Sequence, residues 1–299
     1  MEIVAVDFGA TYTRFAAAKK NGIITHRIIH TTPKNPLEIR RMFKHSFKHL
    51  HRLGVSKRAP VGVASIGPLD IGRGVVRNAP NLGRLKVSLK DMIEECHGSK
   101  PAILNDATAA ALGETVFGRW RGVENLVYIT ISTGIGGGAV VDGHLLIGKE
   151  GNAVEIGHIV VDYRSRVRCG CGGRGHWEAL CSGTGLPKLA RALTGKTSWK
   201  TAAEVFDAAS RGDRQALTAV REMEYLNAAA YASVVNTFDP EVVVVGGGVA
   251  LNHPRETLER PLKHLRKYRL LRSVFDLTEL GADAPLMGAV AAALKLSES

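Results

Sequence analysis

Residues 3–32, IVAVDFGATYTRFAAAKKNGIITHRIIHTT, and residues 126–148, LVYITISTGIGGGAVVDGHLLIG, share one plan. Each opens on a short β-branched run, turns through small residues, and returns as a hairpin. In the first copy, residues 3–6 are the run and Asp7, Gly9, Ala10, Thr11 and Thr13 stand at the turn. Lys19-Lys20-Asn21-Gly22 then closes a hairpin, so three strands joined by tight turns are expected. In the second copy, residues 126–131 are the strand and residues 132–138, STGIGGG, are the turn, with Thr133, Gly134, Gly136 and Gly137. Residues 139–148 form its hairpin, with Asp142-Gly143 at the tip. Such turns can offer backbone N–H groups and hydroxyls to phosphate oxygens. A plain hairpin turn also favours Gly and Thr, so one copy alone decides little; the repetition points to duplicated α/β halves.

Between the copies, residues 36–53 read as a helix and residues 60–67, PVGVASIG, as a buried strand. Residues 102–104 read as another strand, which ends in Asn105-Asp106 just before the alanine-rich helix ATAAALGETVFG. Open α/β folds place ligands at the carboxyl ends of their strands, and Asn and Asp are equally at home as helix N-caps. Arg77-Asn78-Ala79-Pro80-Asn81-Leu82 has neither helical nor strand period and reads as a polar loop. Downstream, residues 186–192, 199–209 and 214–238 read as helices. A strand over 241–245 runs into Gly246-Gly247-Gly248, where a planar base or ribose could approach the backbone. Residues 284–296 form a closing helix.

At 299 residues the chain is long enough for two domains of ordinary size. With 45% apolar and 23% charged residues and no apolar run near 18, the composition is that of a soluble globular protein, with no membrane partner. The opening MEIVAVDFG has no signal-peptide pattern and there are four cysteines, so a reducing cytoplasm is expected. The net charge of +12 would suit nucleic acid or a phosphate-handling enzyme. Its two dense runs, 40–58 and 263–272, interleave with apolar residues at helical spacing, which reads as solvated helix faces rather than a nucleic-acid surface.

Most of the chemistry sits in residues 155–182, EIGHIVVDYRSRVRCGCGGRGHWEALCS. His158, Cys169, Cys171 and His176 are four N/S donors suited to a tetrahedral zinc site. Unrelated thiols and histidines, or a strained C-x-C disulfide, are the plainer alternatives, and Cys181 is a rival fourth ligand.

This segment resembles the zinc loop of the ROK family of sugar kinases and repressors, whose pattern is E-x-G-H followed by C-x-C-G-x-x-G-C-x-E. Glu155, Gly157, His158, Cys169, Cys171, Gly172, Gly175 and Glu178 match it, and His176 replaces the last cysteine. The segment from Asn105-Asp106 is similar to the one that carries the family's catalytic aspartate, and Asn81 matches the asparagine of its sugar loop. Two departures stand out. The family usually has Gly-Gly-Thr at Gly9-Ala10-Thr11, and Gly at Val154.

The resemblance implies a two-lobed actin-like ATPase (ribonuclease H-like) α/β fold with duplicated halves and a cleft between them. Residues 1–107 plus 284–299 would form one lobe and 108–283 the other, hinged near 107–120. It further implies transfer of phosphate from ATP to the 6-hydroxyl of a hexose, as a glucokinase or broad hexokinase. Asp106 would be the base, and Asn81, Asn105, Asp106, Glu155, His158 and Glu178 would contact the sugar. Asp7, Gly9, Ala10, Thr11, Thr13, Thr133, Gly134, Gly136, Gly137, Gly246, Gly247 and Gly248 would surround ATP. Asp7 would serve a catalytic Mg2+, and a structural Zn2+ would be held by His158, Cys169, Cys171 and His176. Alternative acceptors are N-acetylmannosamine, fructose or allose, and polyphosphate is an alternative donor. The family's repressors carry an added N-terminal helix-turn-helix; this chain begins directly with MEIVAVD, so a sugar-responsive DNA-binding regulator is not expected. Relatives are commonly homodimers or homotetramers.

Overall fold

The computed structural model describes residues 2–79, 82–83 and 85–298, so Asn81 lies outside the described residues. The chain packs as two compact units, Met1–Val123 with Gly138–Ala153 and Asp283–Ser299, and Glu124–Gly137 with Val154–Ala282. The first unit thus runs past residue 107 and takes in part of the second hairpin.

In the first unit β1 (Glu2–Phe8), β2 (Tyr12–Lys19) and β3 (Ile24–Thr31) form the expected antiparallel meander. β1 is buried from Ile3 onward, as a central strand must be, whereas β3 alternates half-buried with exposed residues, as an edge strand does. α1 (Pro36–Arg52) follows, capped by the Asn35 side chain accepting from Leu37 N, and then β4 (Val61–Ser65) pairs parallel to β1. β5 (Leu69–Asp70), β6 (Val75–Ala79) and β7 (Leu85–Ser88) make a separate antiparallel sheet. Arg77, Asn78 and Ala79 are therefore strand residues rather than loop, because β7 supplies a pairing partner that their own composition does not reveal. α2 (Leu89–His97) leads to β8 (Pro101–Asn105), which completes the main sheet in the order β3-β2-β1-β4-β8, and α3 (Asp106–Phe117) starts at once.

Helices cover both faces of this sheet. α1 and α2 bury Phe43, Phe47, Leu50 and Ile93 with Val4, Val6, Phe8 and Phe15 on one face, while Arg41, Lys44 and Lys48 are exposed. On the other face α3 and the C-terminal helix α10 (Ala284–Glu298) bury Leu112, Leu286 and Val290 against Ile3 and Ala5. α10 meets its neighbours backbone to backbone: a Cβ on Gly62 would lie 1.8 Å from Ala289 O, and one on Gly288 1.7 Å from Ala109 O.

The second unit is built on the parallel strands β9 (Leu126–Ile131), β12 (Val242–Gly246) and β13 (Val274–Leu277), with β12 central and wholly buried. β10 (Ile135–Val141) begins here, so residues expected to prolong the 132–138 turn are already strand. From Gly138 on it belongs to the first unit, where it pairs with β11 (His144–Leu145) around Asp142 (φ 50°) and Gly143 (φ 73°), the left-handed pair a tight hairpin needs. The helices are α4 (Trp177–Cys181), α5 (Leu186–Thr194), α6 (Ala202–Ser210), α7 (Arg214–Phe238), α8 (Gly248–Asn252) and α9 (Arg260–His264). α6 starts three residues later than Trp199, where the Thr201 hydroxyl accepts from Glu204 N. The basic run at 263–272 is helical only at its start, since α9 ends at His264 and a 3-10 turn at Leu265–Lys267 follows. Fully buried Trp177 donates from Nε1 to Asn227 Oδ1 (2.7 Å) and meets Tyr231 edge-on, so α4 is locked to α7 with its polar atom satisfied. Among the described residues no helix is long and apolar enough to cross a membrane.

Candidate active site and metal centre

β1, β4 and β8 run parallel with Phe8 beside Ser65 and Ser65 beside Asn105, so their carboxyl ends lie level. Asp7 and Asp106 leave the sheet at this edge, the usual ligand edge of an α/β layer. Asn105 is both cap and candidate site residue: its Oδ1 accepts from Ala107 N (3.0 Å), as does Asp106 Oδ1 (2.8 Å). Gly67 makes room for it, since a Cβ there would lie 3.2 Å from Asn105 Nδ2. Asn152 holds the same stretch, accepting from Leu69 N (3.0 Å) and donating to Leu69 O (2.8 Å).

Asp7 is buried, with Arg14 Nη1 3.5 Å from its carboxylate and 3.7 Å from that of Asp283. Burial pushes the Asp7 carboxyl up to about 7 against the pull of Arg14, and the charges of Asp106 and Asp283 push the same way. A buried carboxylate among like charges is the setting that a hard dication relieves, so these oxygens fit Mg2+. Arg14 and Asp283 were not among the residues singled out from the sequence. Arg14 was within reach, since hairpin register sets it opposite Asp7; Asp283, at the foot of α10, carries no local signal.

The first turn is strapped from behind. Thr13 is fully buried and donates to Thr32 Oγ1 (2.8 Å), which in turn donates to Gly9 O (2.8 Å). Thr13 therefore props the turn from inside. Thr32 N donates to Thr11 O (2.8 Å) and Lys34 Nζ to Ala10 O (2.7 Å), while Thr11 is exposed.

In the second unit the corresponding turn is short. Ser132 N donates to Gly134 O (2.8 Å), and exposed Thr133 has its carbonyl held by Thr184 N (3.3 Å) and Oγ1 (3.0 Å). Gly136 and Gly137 lie in β10; Gly137 is buried, and a Cβ there would sit 2.6 Å from Ile156. Of the three glycines after β12, Gly246 is buried against the Tyr128 hydroxyl, Gly247 takes φ 88°, and Gly248 is exposed with nothing near its absent Cβ. A Cβ on Gly247 would lie 2.5 Å from Ile131 O, so Gly247 is a close backbone contact and open backbone is offered by Gly248.

The metal-type donors converge. One ligand atom each from His158, Cys169, Cys171 and His176 all lie within 4.8 Å of one another. His158 Nδ1 is 3.3 Å from His176 Nδ1 and 3.7 Å from Cys169 Sγ, and Cys171 Sγ is 3.4 Å from His176 Nδ1. Zinc bonds of about 2.0–2.3 Å set tetrahedral edges of roughly 3.3–3.8 Å, so these separations fit Zn2+. All four cysteines are free, which removes the disulfide alternative. Cys181 is not in the cluster: it is fully buried on α4, its Sγ 4.0 Å from Met223 O.

Two carboxylates flank the cluster. Glu178 Oε1 is 3.5 Å from Cys169 Sγ and its Oε2 accepts from Ile135 N (3.0 Å), which ties α4 to the second turn. Glu155 Oε2 is 3.7 Å from His158 Nε2, the nitrogen turned away from the cluster. Burial raises the Glu155 carboxyl above its ordinary range, opposed by His158 and reinforced by Glu178. Glu155 sits in an inverse γ-turn (φ −72°, ψ 53°) closed by Ile156 N donating to Val154 O at 2.7 Å. Val154 before it has φ 61°, a left-handed conformation foreign to a β-branched residue.

The sequence model of the ROK family matches residues 3–296. The glucokinase of Aeropyrum pernix is 41% identical over 320 residues, spanning 99% of this chain and 98% of that protein. The ROK hexokinase structure from Thermus thermophilus covers all of both chains with a TM-score of 0.85 at 32% identity. A ROK family glucokinase structure from Streptomyces griseus, in complex with glucose and AMPPNP, covers 99% of this chain and 100% of that one with a TM-score of 0.80 at 28% identity. A family match over nearly every residue, together with a fold shared end to end with ROK kinases, establishes that this protein belongs to the ROK family.

Proposed function

We propose that this protein transfers the γ-phosphoryl group of ATP to the 6-hydroxyl of a hexose, glucose foremost. The observation that carries the reading is Asp106, set at the first turn of α3 on the same sheet edge as the buried Asp7. Asp106 orients the sugar hydroxyl and takes its proton as the oxygen attacks in line. Asn105 supplies an amide to the sugar, and Glu155, His158 through Nε2, and Glu178 accept from or donate to its other hydroxyls. Exposed Thr11 and Thr133, with the turns that carry them, receive phosphate oxygens, and Gly248 takes the adenosine end. Mg2+ beside Asp7 would neutralise charge on the transferring phosphate.

His158, Cys169, Cys171 and His176 would hold a structural Zn2+, since four protein ligands leave no open position. Its part is to fix the loop bearing Glu155 and Glu178. Sugar and ATP are the proposed small-molecule partners, and the four free thiols support a reducing cytoplasm as the setting. A homodimer or homotetramer is proposed by analogy with relatives, to be measured by light scattering.

The test is a coupled assay of ADP release with Mg-ATP across glucose, mannose, fructose, glucosamine and N-acetylmannosamine, repeated with polyphosphate as donor. Asp106→Asn is expected to lower turnover about 10²–10⁴-fold with an unchanged circular dichroism spectrum. Near-normal turnover in that variant would overturn the assignment.

A further inference from the structure

The small sheet of the first unit carries a basic cavity that the kinase chemistry leaves unused. Asp70, Arg73, Val75, Arg77 and Lys86 line about 220 Å³. Three cations thus face one carboxylate, and that carboxylate is already committed. Asp70 is buried, its Oδ1 accepts from Arg73 N (3.1 Å), and its Oδ2 pairs with Arg77 Nη2 and lies 3.8 Å from Arg73 Nε.

The strands hold the remaining positive charge in place. Val75 pairs with Ser88 and Val76 with Val87; the register then shifts so that Ala79 pairs with Leu85, which leaves Arg77 and Asn78 on β6 together opposite Lys86 on β7. Like charges brought together across strands are unfavourable. Lys86 has no carboxylate partner among the described residues, and Arg77 N is anchored to Pro68 O at 2.8 Å, so neither strand is placed to move away. Arg77 spends Nη2 on Asp70 and retains Nε and Nη1, and Arg73 stands 80% exposed at the rim. Val75 gives the cavity an apolar wall. A net excess of two positive charges, planar guanidinium donors and room for more than a single small ion match one chemistry.

We propose that this cavity is a second anion site, which takes the phosphate dianion of a small phosphorylated metabolite on Arg73, Arg77 and Lys86. The proposal stands on these residues alone and does not depend on the kinase reading.

The experiment is isothermal titration calorimetry in phosphate-free buffer at constant ionic strength, with inorganic phosphate and glucose 6-phosphate as probes and glucose as the neutral control. Arg73→Gln/Lys86→Gln is compared with wild type and with Lys44→Gln/Lys48→Gln, which removes equal charge from the exposed face of α1. All four substituted positions are solvent-facing, so folding is retained and is checked by circular dichroism. The expected result is saturable binding of either phosphate probe, weakened about tenfold or more in the cavity variant, as two lost charge-assisted contacts imply, and unchanged in the α1 variant. Equal affinity for both probes would identify the free ion as sufficient, and tighter binding of the ester would show that the carrier is also held; both outcomes support the site. No saturable binding by wild type, equal binding by the cavity variant, or equal loss in the α1 variant would overturn it.

Discussion

Val154 tests the geometry most sharply, because the structure reverses the usual order of alanine and glycine there. Its φ of 61° lies in the left-handed region, which costs an L-residue about 1–2 kcal/mol and glycine almost nothing. Val154→Ala keeps that cost. Val154→Gly removes it, and gives back about 0.4–1 kcal/mol through the greater freedom of the unfolded chain. The glycine variant should therefore be the more stable of the two by roughly 0.5–1 kcal/mol, whereas inside an ordinary strand or helix alanine exceeds glycine by about that much. For 299 residues, at roughly 2.1 cal/mol/K of unfolding entropy each, one kcal/mol corresponds to about 1.6 °C, so melting points about 1–2 °C apart are expected. Parallel thermal melts with urea titrations as the second readout decide it. An alanine variant as stable as the glycine variant, or more so, would refute the left-handed assignment and with it the γ-turn that aims Glu155.

Elemental analysis should find one zinc per chain; chelation should lower the melting temperature and raise the KM for glucose together, His176→Cys should keep the metal and His176→Ala lose it, and purified protein without zinc would remove this centre. Asp7 has a folded-state pKa of about 7 against 3.8 for the ordinary group, so the folded state holds the extra proton between those values. Its contribution to stability is accordingly greatest at low pH and declines as pH rises from about 4 to 7, with the full cost of the buried charge present above 7. Melts of metal-free protein from pH 5 to 8 should show a steeper decline for wild type than for Asp7→Asn, with Mg2+ restoring stability at pH 8 in wild type alone; identical slopes would contradict the burial of this carboxylate.

Much of the architecture was readable because its causes are local. Asn35 and Pro36 open α1, Asp213 caps α7 at the residue where apolar periodicity begins, and the 3–32 stretch alternates and turns as its composition requires. Donor type and spacing likewise marked His158, Cys169, Cys171 and His176 as a group. Other features were not readable, for a common reason. Gly136 and Gly137 read as turn, yet they are strand because β10 runs there and Ile156 leaves Gly137 no room for a Cβ. Arg77 to Ala79 read as loop until β7 gave them a partner. Cys181 competed with His176 until burial on α4 removed it.

By itself, then, the amino-acid sequence determined which segments become strands and helices wherever periodicity, caps and turn residues act over a few neighbours, and which donors gather in one loop. Only the tertiary structure decided which glycines are turns and which are close contacts, that Thr13 is a prop, and that Arg14 and Asp283 surround Asp7. Those outcomes depend on the free energy of groups brought together from distant parts of the chain, through burial, excluded volume and charge, and no local pattern records them.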